Sequence, residues 1–535
     1  MQNYNDKKSS YVDINECTSR GACSISPTIV SLEVLCVKFL QNLAYYILKL
    51  EDLGAENEQI KLEIIRVLAS LVSVNEFSEV QLHSIIVREY FMLEEAVKTY
   101  TNLCRKNNII PKLLKKITGF SASTTVSQSI SVGEKLFLSK YKNKSSDIKN
   151  LTEILNIVIK SLSINLVKIN DFNESDNEVY HLVLETLDMY NSKNIKSEEI
   201  SEKISQLAYA DKNLQLKISN LLIQHFGKIS EVKVSRSSRR GKAILVSGNS
   251  FFDLKNVLEA AKDKDIDIYT HSNLLITHAL DRFKKYPNLK GHYGDTTENC
   301  ILDFATFPGA ILLTKNSRNN TEYLYRGRLF SNDYIIPNGV IQIKNDDFSG
   351  LIEASLLAKG FSSGKIKEDL YLGFEENELI AKLNQIANSL ANKTIKKLYI
   401  VGTDAHSEFQ REYFKEFFEN LKDDEFVLSF SYFGKKDNIY TVNIGNYMPL
   451  ATKILKLLFD NYSISENNIY FFFTNCDVMT ISSIVMIKNL NAKNIYMTSC
   501  SPTLVNPSVF ETFRKKYGIN ITNEPIKDLK IMREG

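Results

Sequence analysis

The sequence contains no tryptophan, and its formal net charge of +3 leaves little excess of either sign. A charge this small over 535 residues is not the basic footprint of a nucleic-acid-binding protein. The Walker, GxGxxG, HExxH and GxSxG motifs are also missing. The sequence therefore carries none of the usual signatures of nucleotide binding, zinc proteolysis or serine hydrolysis.

The first ten residues, MQNYNDKKSS, lack the apolar core of a signal peptide. The most apolar helical stretch, Val34 to Leu50, is interrupted by Lys38, Gln41 and Asn42, so we expect an amphipathic helix and no membrane span. A cytoplasmic, reducing location follows as an expectation. The seven cysteines are then free thiols or metal ligands and not disulfides.

A chain of this length is expected to form two to four domains. From about Ser31 to Val232 the apolar residues recur at helical spacing, and ten of them recur again 119 residues later. The first set is Leu32, Leu35, Phe39, Leu43, Ile47, Leu50, Ile60, Ile64, Ile65 and Leu68. The second set is Leu151, Ile154, Val158, Leu162, Leu166, Ile169, Val179, Val183, Leu184 and Leu187. This repeat predicts one helix–turn–helix unit present twice, and hence two related helical bundles.

The second half of the chain alternates short apolar runs with helical patterns, which is typical of parallel sheets buried on both faces. The predicted strands are Ala243–Val246, Ile266–Tyr269, Ala310–Leu313, Val340–Ile343, Lys397–Gly402, Phe426–Phe430, Ile469–Phe473 and Asn494–Met497. The fold class is therefore a multidomain α and α/β protein, with duplicated helical bundles followed by two Rossmann-like parallel-sheet domains. We expect the domains to span residues 1–235, 240–368 and 369–535.

Four motifs follow one another in this half: VSGN-S-x2-DL, IYTHS-x-x-L-x-x-H, KKYPNLKGHYG and FPGAILLT-x-N. In residue type and spacing they resemble the hybrid cluster proteins, also called prismane proteins or hydroxylamine reductases, which are related in fold to carbon monoxide dehydrogenase. The resemblance covers nearly the whole chain and is weakest between residues 435 and 467. It implies an iron–sulfur enzyme whose mixed cluster lies where three domains meet.

The resemblance also implies the cluster ligands: one histidine, two glutamates and four cysteines, with a lysine beside the second glutamate. The histidine and first glutamate positions hold Asn249 and Asn273. The four cysteine positions hold Ser317, Thr403, Phe433 and Tyr447. The second glutamate and lysine positions hold Asp477 and Met479. No thiolate and a single carboxylate remain, so we expect no hybrid cluster and no other metal in this pocket. We expect the larger of these side chains to fill the vacated space.

Near the N-terminus, the family's second cluster uses four cysteines, of which Cys17 and Cys23 remain. Four thiolates hold a cubane, so these two are either leftover thiols or ligands of a cluster shared between two chains. Two acid–base pairs, His271 with Asp267 and His406 with Asp404, are weaker candidates for chemistry.

Two functions from different classes remain. The favoured interpretation is a pseudoenzyme that keeps the fold as a scaffold and binds a protein partner, as a monomer or homodimer, without nucleic acid or membrane. The alternative, which the resemblance alone implies, is an iron–sulfur oxidoreductase that reduces hydroxylamine or nitric oxide. The missing ligand set favours the first.

Overall fold

The computed structural model describes residues 26–141, 144–192, 194–294, 300–315, 323–336, 339–403, 408–433, 436–474, 477–498 and 507–534. These residues form two compact units. The first, called unit 1, takes in the described parts of 1–163, 176–207 and 501–516. The second, unit 2, takes in the described parts of 164–175, 208–500 and 517–535. The expected division into three domains stays a prediction.

The first half of the chain is helical. Its helices are α1 (Pro27–Glu51), α2 (Glu58–Ser70), α3 (Glu79–Lys106), α4 (Val126–Tyr141), α5 (Ser146–Asp171), α6 (Asn177–Met189) and α7 (Ser197–Phe226). The predicted repeat is confirmed, because α5 and α6 begin 119 residues after α1 and α2. All twenty residues of the two apolar sets are buried. The helix caps repeat as well, since Asn57 and Asp176 each accept a hydrogen bond from the amide three residues on.

Helix α1 is long and apolar enough to cross a membrane by length and composition, but 61% of its most apolar stretch is buried inside the protein. Its buried residues include Leu32, Leu35, Phe39 and Leu43, which lie at helical spacing on the face that packs in unit 1. This burial is typical of the core helix of a soluble protein.

Unit 2 contains two six-stranded sheets. The first has the strands β2 (Lys242–Ser247), β3 (Ile266–His271), β4 (Leu289–His292), β5 (Ala310–Leu313), β6 (Leu329–Ser331) and β7 (Ile341–Gln342). The second has β9 (Lys397–Val401), β10 (Glu425–Ser429), β11 (Ile439–Thr441), β12 (Ile469–Phe473), β13 (Asn494–Met497) and β14 (Ile519–Ile521). A separate antiparallel pair joins β1 (Val232–Val234) to β8 (Leu370–Leu372).

Both large sheets have the same strand order. In the first it is β4-β3-β2-β5-β6-β7, and in the second β11-β10-β9-β12-β13-β14. Every pairing in them is parallel. Numbered within each sheet, this is the 3-2-1-4-5-6 order of doubly wound dinucleotide-binding folds. The predicted fold class is therefore confirmed.

Helices connect these strands, and one more follows the last strand. They are α8 (Phe251–Ala260), α9 (Cys300–Thr306), α10 (Ser349–Leu357), α11 (Glu376–Ala391), α12 (Glu408–Glu419), α13 (Met448–Phe459), α14 (Val478–Asn489), α15 (Pro507–Tyr517) and α16 (Pro525–Glu534). Short 3-10 segments cover Leu71–Glu76, Ser272–Ala279, Phe283–Lys285 and Tyr323–Arg328. The central strands β2 and β9 are almost entirely buried, as expected where helices cover both faces.

Candidate functional site

The positions that the resemblance assigns to the cluster ligands and to the neighbouring lysine follow the carboxyl ends of parallel strands. In a 3-2-1-4-5-6 sheet this edge, near the first and fourth strands, is where ligands bind. The described positions are Asn249 after β2, Asn273 after β3, Thr403 after β9, Phe433 after β10, Tyr447 after β11, and Asp477 and Met479 after β12. Ser317, Cys17 and Cys23 lie outside the described residues.

Asn249 and Asn273 bond directly to each other. The Asn273 Nδ2 donates to the Asn249 Oδ1 over 2.6 Å. The backbone N–H of Asn249 donates to the Thr314 Oγ1 over 2.8 Å, which fixes the loop after β2 against the end of β5. The amides at the positions that the resemblance assigns to the histidine and the first glutamate therefore hydrogen-bond to each other. This mutual bond takes up one acceptor and one donor that would otherwise face the site.

Thr403 is 5% exposed, and its Oγ1 donates to the Asn446 Oδ1 over 2.5 Å. Asn446 and the preceding Gly445 both have left-handed backbone, with φ of 60° and 61°. A Cβ on Gly445 would come within 3.0 Å of the Ile276 nitrogen. The loop after β11 thus packs against the 3-10 segment after β3, and the two sheets approach each other at their carboxyl edges.

A cavity of about 590 Å³ lies at this approach. Asn273, Thr403 and Phe433 line this cavity. Asn249 is not in the lining but is hydrogen-bonded to Asn273, which is. Phe433 is partly buried, and its ring centroid lies 5.5 Å from that of Phe414 and 5.1 Å from that of Phe418 on α12. The expectation that the ring fills the vacated space is therefore wrong for Phe433. It turns toward the hydrophobic cluster beside α12 and leaves the cavity open.

The Tyr447 side chain, unlike that of Phe433, is packed on all sides by other residues or nearly so, as its low exposure shows. It is 3% exposed, and its ring centroid lies 5.1 Å from that of Phe251, the first residue of α8. The Lys168 Nζ lies 5.5 Å from the same ring centroid. Burial, and then the charge of Asp171, raise the pKa of the Tyr447 hydroxyl well above its usual value. Tyr447 is thus a neutral core side chain joining the loop after β11 to the start of α8.

Asp477 serves as a helix cap. Its Oδ1 accepts a hydrogen bond of 2.8 Å from the Thr480 backbone N–H, and its side chain is exposed. Met479 is partly buried in the first turn of the same helix, α14. Neither is among the described residues that line the 590 Å³ cavity. The structure therefore brings Asn249, Asn273, Thr403 and Phe433 together at the cavity but not Asp477 or Met479.

A histidine network forms part of the cavity wall, and the sequence singled out His271 in it but not the residues that His271 contacts. The His271 Nδ1 lies 2.8 Å from the Ser247 Oγ, and its Nε2 lies 3.4 Å from the Asp303 Oδ2. Ser247 is fully buried, so it is not placed to attack a substrate. The expected pair of His271 with Asp267 is wrong, because Arg239 holds the Asp267 carboxylate at 2.5 Å and 2.6 Å. His406 and Asp404 lie outside the described residues.

Thr270 sits between two more histidines of this network. Its Oγ1 lies 2.9 Å from the His278 Nε2 and 2.9 Å from the His292 Nδ1. Burial lowers the pKa of His278 to about 4. Burial and the neighbouring His271 lower the pKa of His292 well below its usual value. Both rings are therefore neutral near pH 7 and act as hydrogen-bonding groups.

The side chains described at the former ligand positions do not fit an iron–sulfur cluster. They offer amides, a hydroxyl, two aromatic rings and one carboxylate used as a cap, whereas such clusters are held mainly by thiolates. Cys300 is the one described cysteine that lines the cavity, and Cys36 and Cys104 are buried in helices of unit 1. Among the described residues no group of three or more His, Cys, Asp or Glu could hold a metal ion. The absence of a cofactor stays a prediction.

Comparisons with known proteins agree with the motifs. The profile of the Prismane/CO dehydrogenase family matches residues 13–431. The hydroxylamine reductase of Thermodesulfovibrio yellowstonii is 25% identical, covering 96% of this chain and 97% of its own. The hydroxylamine reductase of Syntrophobacter fumaroxidans is 24% identical, with the same coverage of 96% and 97%. A solved structure of closed and open alpha subunits of acetyl-CoA synthase/carbon monoxide dehydrogenase, with NiZn[Fe4S4] and NiNi[Fe4S4] clusters, aligns over 98% of this chain and 84% of that chain, at 10% identity and a TM-score of 0.48.

Proposed function

The chain belongs to the Prismane/CO dehydrogenase family, and from this premise we propose that it is a cluster-free member. In this proposal it keeps the iron–sulfur oxidoreductase-like fold, has lost the hybrid cluster, and acts as a partner-binding scaffold in the cytoplasm. The loops that follow the carboxyl ends of its strands then hold the two sheets of unit 2 together and line a cavity.

The amide pair of Asn249 and Asn273 carries this proposal. In this pair the Asn249 Oδ1, the atom through which the Asn249 amide would bind iron, already accepts a 2.6 Å hydrogen bond from the Asn273 Nδ2, so ligation by Asn249 would compete with this bond. The gain would be small, because a neutral amide oxygen is a poor substitute for the histidine nitrogen or the carboxylate of the family site. Two neighbouring positions thus hold neutral amides that bond to each other and are poor ligands for iron.

Thr403 adds independent support from the other sheet. The cysteine at this position in the family is a persulfide, a soft ligand, whereas the Thr403 hydroxyl is a hard donor group directed to Asn446. Phe433, at the next cysteine position along the chain, has no metal-binding atom at all. In this proposal, side chains able to bind the cluster are therefore missing from the loops of both sheets.

A second candidate remains, because both compared relatives with near-complete coverage are named hydroxylamine reductases. In that case the chain would be an iron–sulfur oxidoreductase. An iron–sulfur cluster at Cys17 and Cys23, shared between two chains, would be compatible with an empty hybrid-cluster site. Iron content alone therefore does not separate the two functions.

The deciding experiment compares three anaerobically purified proteins, before and after reconstitution with iron and sulfide. They are the parent chain, a Cys17→Ser/Cys23→Ser variant, and the Thermodesulfovibrio yellowstonii hydroxylamine reductase as the positive control. We expect hydroxylamine turnover and the visible absorption of a cluster in the control only. Any iron in the parent should be absent from the double cysteine variant. Turnover by the parent that persists in that variant would overturn the proposal, because it would place an active cluster in unit 2.

A further inference from the structure

The 590 Å³ cavity of unit 2 has the volume and the position of a small-molecule site. Ligand pockets commonly occupy about 300–1,000 Å³ and lie beyond the carboxyl ends of parallel strands. Residues after β3, β4, β9, β10 and β11 line this cavity, so both sheets contribute.

Two residues with strained backbone lie in this wall. Ser272 and Asn446 both have left-handed φ, 58° and 60°, without being glycine. One follows β3 of the first sheet and the other follows β11 of the second. Strain of this kind is concentrated at ligand-binding loops.

The described wall of the cavity carries four cationic and three anionic side chains. Its cationic side chains are Arg236, Arg411, Lys415 and Lys436, and its anionic side chains are Glu368, Asp369 and Glu419. The Lys233 Nζ lies 3.1 Å from the Asp369 carboxylate, so the charge of Asp369 is balanced by a lysine outside the lining. The exposed lysines of the wall, Lys415 and Lys436, favour an anionic ligand.

Helix α12 arranges the groups that would hold such a ligand. Arg411, Lys415 and Phe418 lie four and three residues apart, so they share one helix face that borders the cavity. At about 1.5 Å per residue, the cations and the ring are separated by roughly 5–10 Å along the axis. The partly buried ring of Phe433 packs on Phe418 and widens this aromatic surface. The wall thus has a cationic end and an aromatic end.

The loop residue Asn446 supplies a further donor. Its Oδ1 accepts the Thr403 hydroxyl, while its Nδ2 has no acceptor in the part of the chain that the structure describes. An amide N–H on the wall matches a phosphate or carboxylate oxygen, and it does not match a cation.

We propose that this cavity binds a small organic anion composed of a flat ring and a phosphate or carboxylate group. The anionic group binds Arg411 and Lys415, and the ring packs against Phe433 and Phe418. This inference rests on the proposed function, because a hybrid cluster at the family position would occupy the same edge of the sheets.

The absence of tryptophan makes the test specific. A Tyr432→Trp substitution places a single tryptophan in the chain, at the cavity wall beside Phe433. Phenyl phosphate and benzoate are titrated as the two anionic probes, and phenol and inorganic phosphate as the matched probes that each lack one half. We expect a saturable change in tryptophan fluorescence with phenyl phosphate or with benzoate. The probe that binds more tightly shows whether the site prefers a phosphate or a carboxylate. Phenol and inorganic phosphate should each bind at least about tenfold more weakly.

Lys415→Gln in the reporter background should weaken binding of the preferred probe about tenfold, the effect of losing one charge-assisted hydrogen bond, without changing the melting temperature. Lys530→Gln, an exposed lysine on α16 outside the described lining, is the control and should leave binding unchanged. Isothermal titration of the parent chain repeats the measurement without the reporter.

Iron content and hydroxylamine turnover are measured on the same samples, so that the two proposals can fail separately. Probe binding by iron-free protein supports both. Hydroxylamine turnover with an iron–sulfur spectrum that persists in the Cys17→Ser/Cys23→Ser variant overturns the proposed function. Iron-free, folded protein that binds neither anionic probe, or binds phenol as tightly, overturns this inference alone.

Discussion

Truncation of Phe433 and truncation of Tyr447 should have unequal effects on stability, although the resemblance assigns both positions to cysteines of the family site. The Phe433 ring borders the open 590 Å³ cavity and packs on one side only, against Phe414 and Phe418. The Tyr447 ring is 3% exposed and is enclosed by Phe251 and Lys168. The comparison therefore measures whether the space around each ring is open or filled.

The expected changes in unfolding free energy follow from what surrounds each ring. Removing the Phe433 ring loses most of the transfer free energy of a buried phenyl group, about 2 kcal/mol. It creates no new closed void, since the vacated space merges with the existing cavity. Removing the Tyr447 ring loses the transfer term and leaves an enclosed void, so Tyr447→Ala should cost about 3–5 kcal/mol.

Urea unfolding followed by far-UV circular dichroism measures both free energies against the parent chain. Phe433→Leu is the matched control and should cost less than about 1 kcal/mol, because it keeps an apolar group on Phe418. If Phe433→Ala costs as much as Tyr447→Ala, the cavity is closed around the ring and the open site is refuted. If both variants are within about 0.5 kcal/mol of the parent, neither ring is packed as described.

Two further predictions concern the surroundings of the cavity. Because burial lowers the folded-state pKa of His278 from 6.5 to about 4, the unfolded chain takes up this proton first as the pH falls. The free energy of unfolding should therefore decrease by up to about 3 kcal/mol between pH 6.5 and about pH 4. In urea titrations, His278→Asn should lack this part of the decrease. A variant with the same pH profile as the parent would contradict the prediction. Asp477→Ala should cost about 1 kcal/mol through loss of the α14 cap, and Asp477→Asn should restore most of it. A loss of probe binding in Asp477→Ala, measured by the cavity titration, would show that Asp477 acts at the site and not as a cap.

The sequence was sufficient for the elements with long or repeated apolar patterns. The 119-residue repeat placed α1, α2, α5 and α6, because buried residues at helical spacing leave the same trace in both copies. The strands at Ala310–Leu313, Ile469–Phe473 and Asn494–Met497 were predicted to the residue, since helices bury both of their faces.

The strands that the sequence did not reveal are short. β4, β6, β11 and β14 have three or four residues each, and neighbouring strands define them more than their own composition does. Four residues are too few to show a period, so polar residues such as Lys290 or Asn520 conceal the strand.

The position of the candidate site could be predicted, but its contacts could not. Asn249 and Asn273 were placed by motifs after strands, whereas their hydrogen bond depends on how two loops meet. The direction of the Phe433 ring was mistaken for the same reason, because side-chain size does not tell which of two neighbouring spaces a ring enters. The spacing of Arg411, Lys415 and Phe418 was the available signal for a cationic and aromatic helix face.

The identical strand order of the two sheets has a consequence for mutational tolerance. The ladder hydrogen bonds of β2, β3, β9 and β10 end before the loops that carry Asn249, Asn273, Thr403 and Phe433 begin. Each sheet can therefore form without help from whatever occupies the space beyond its edge. Substitutions in these loops therefore leave the hydrogen-bonded framework of both sheets in place, so the loops can change their chemistry independently of the strands that present them.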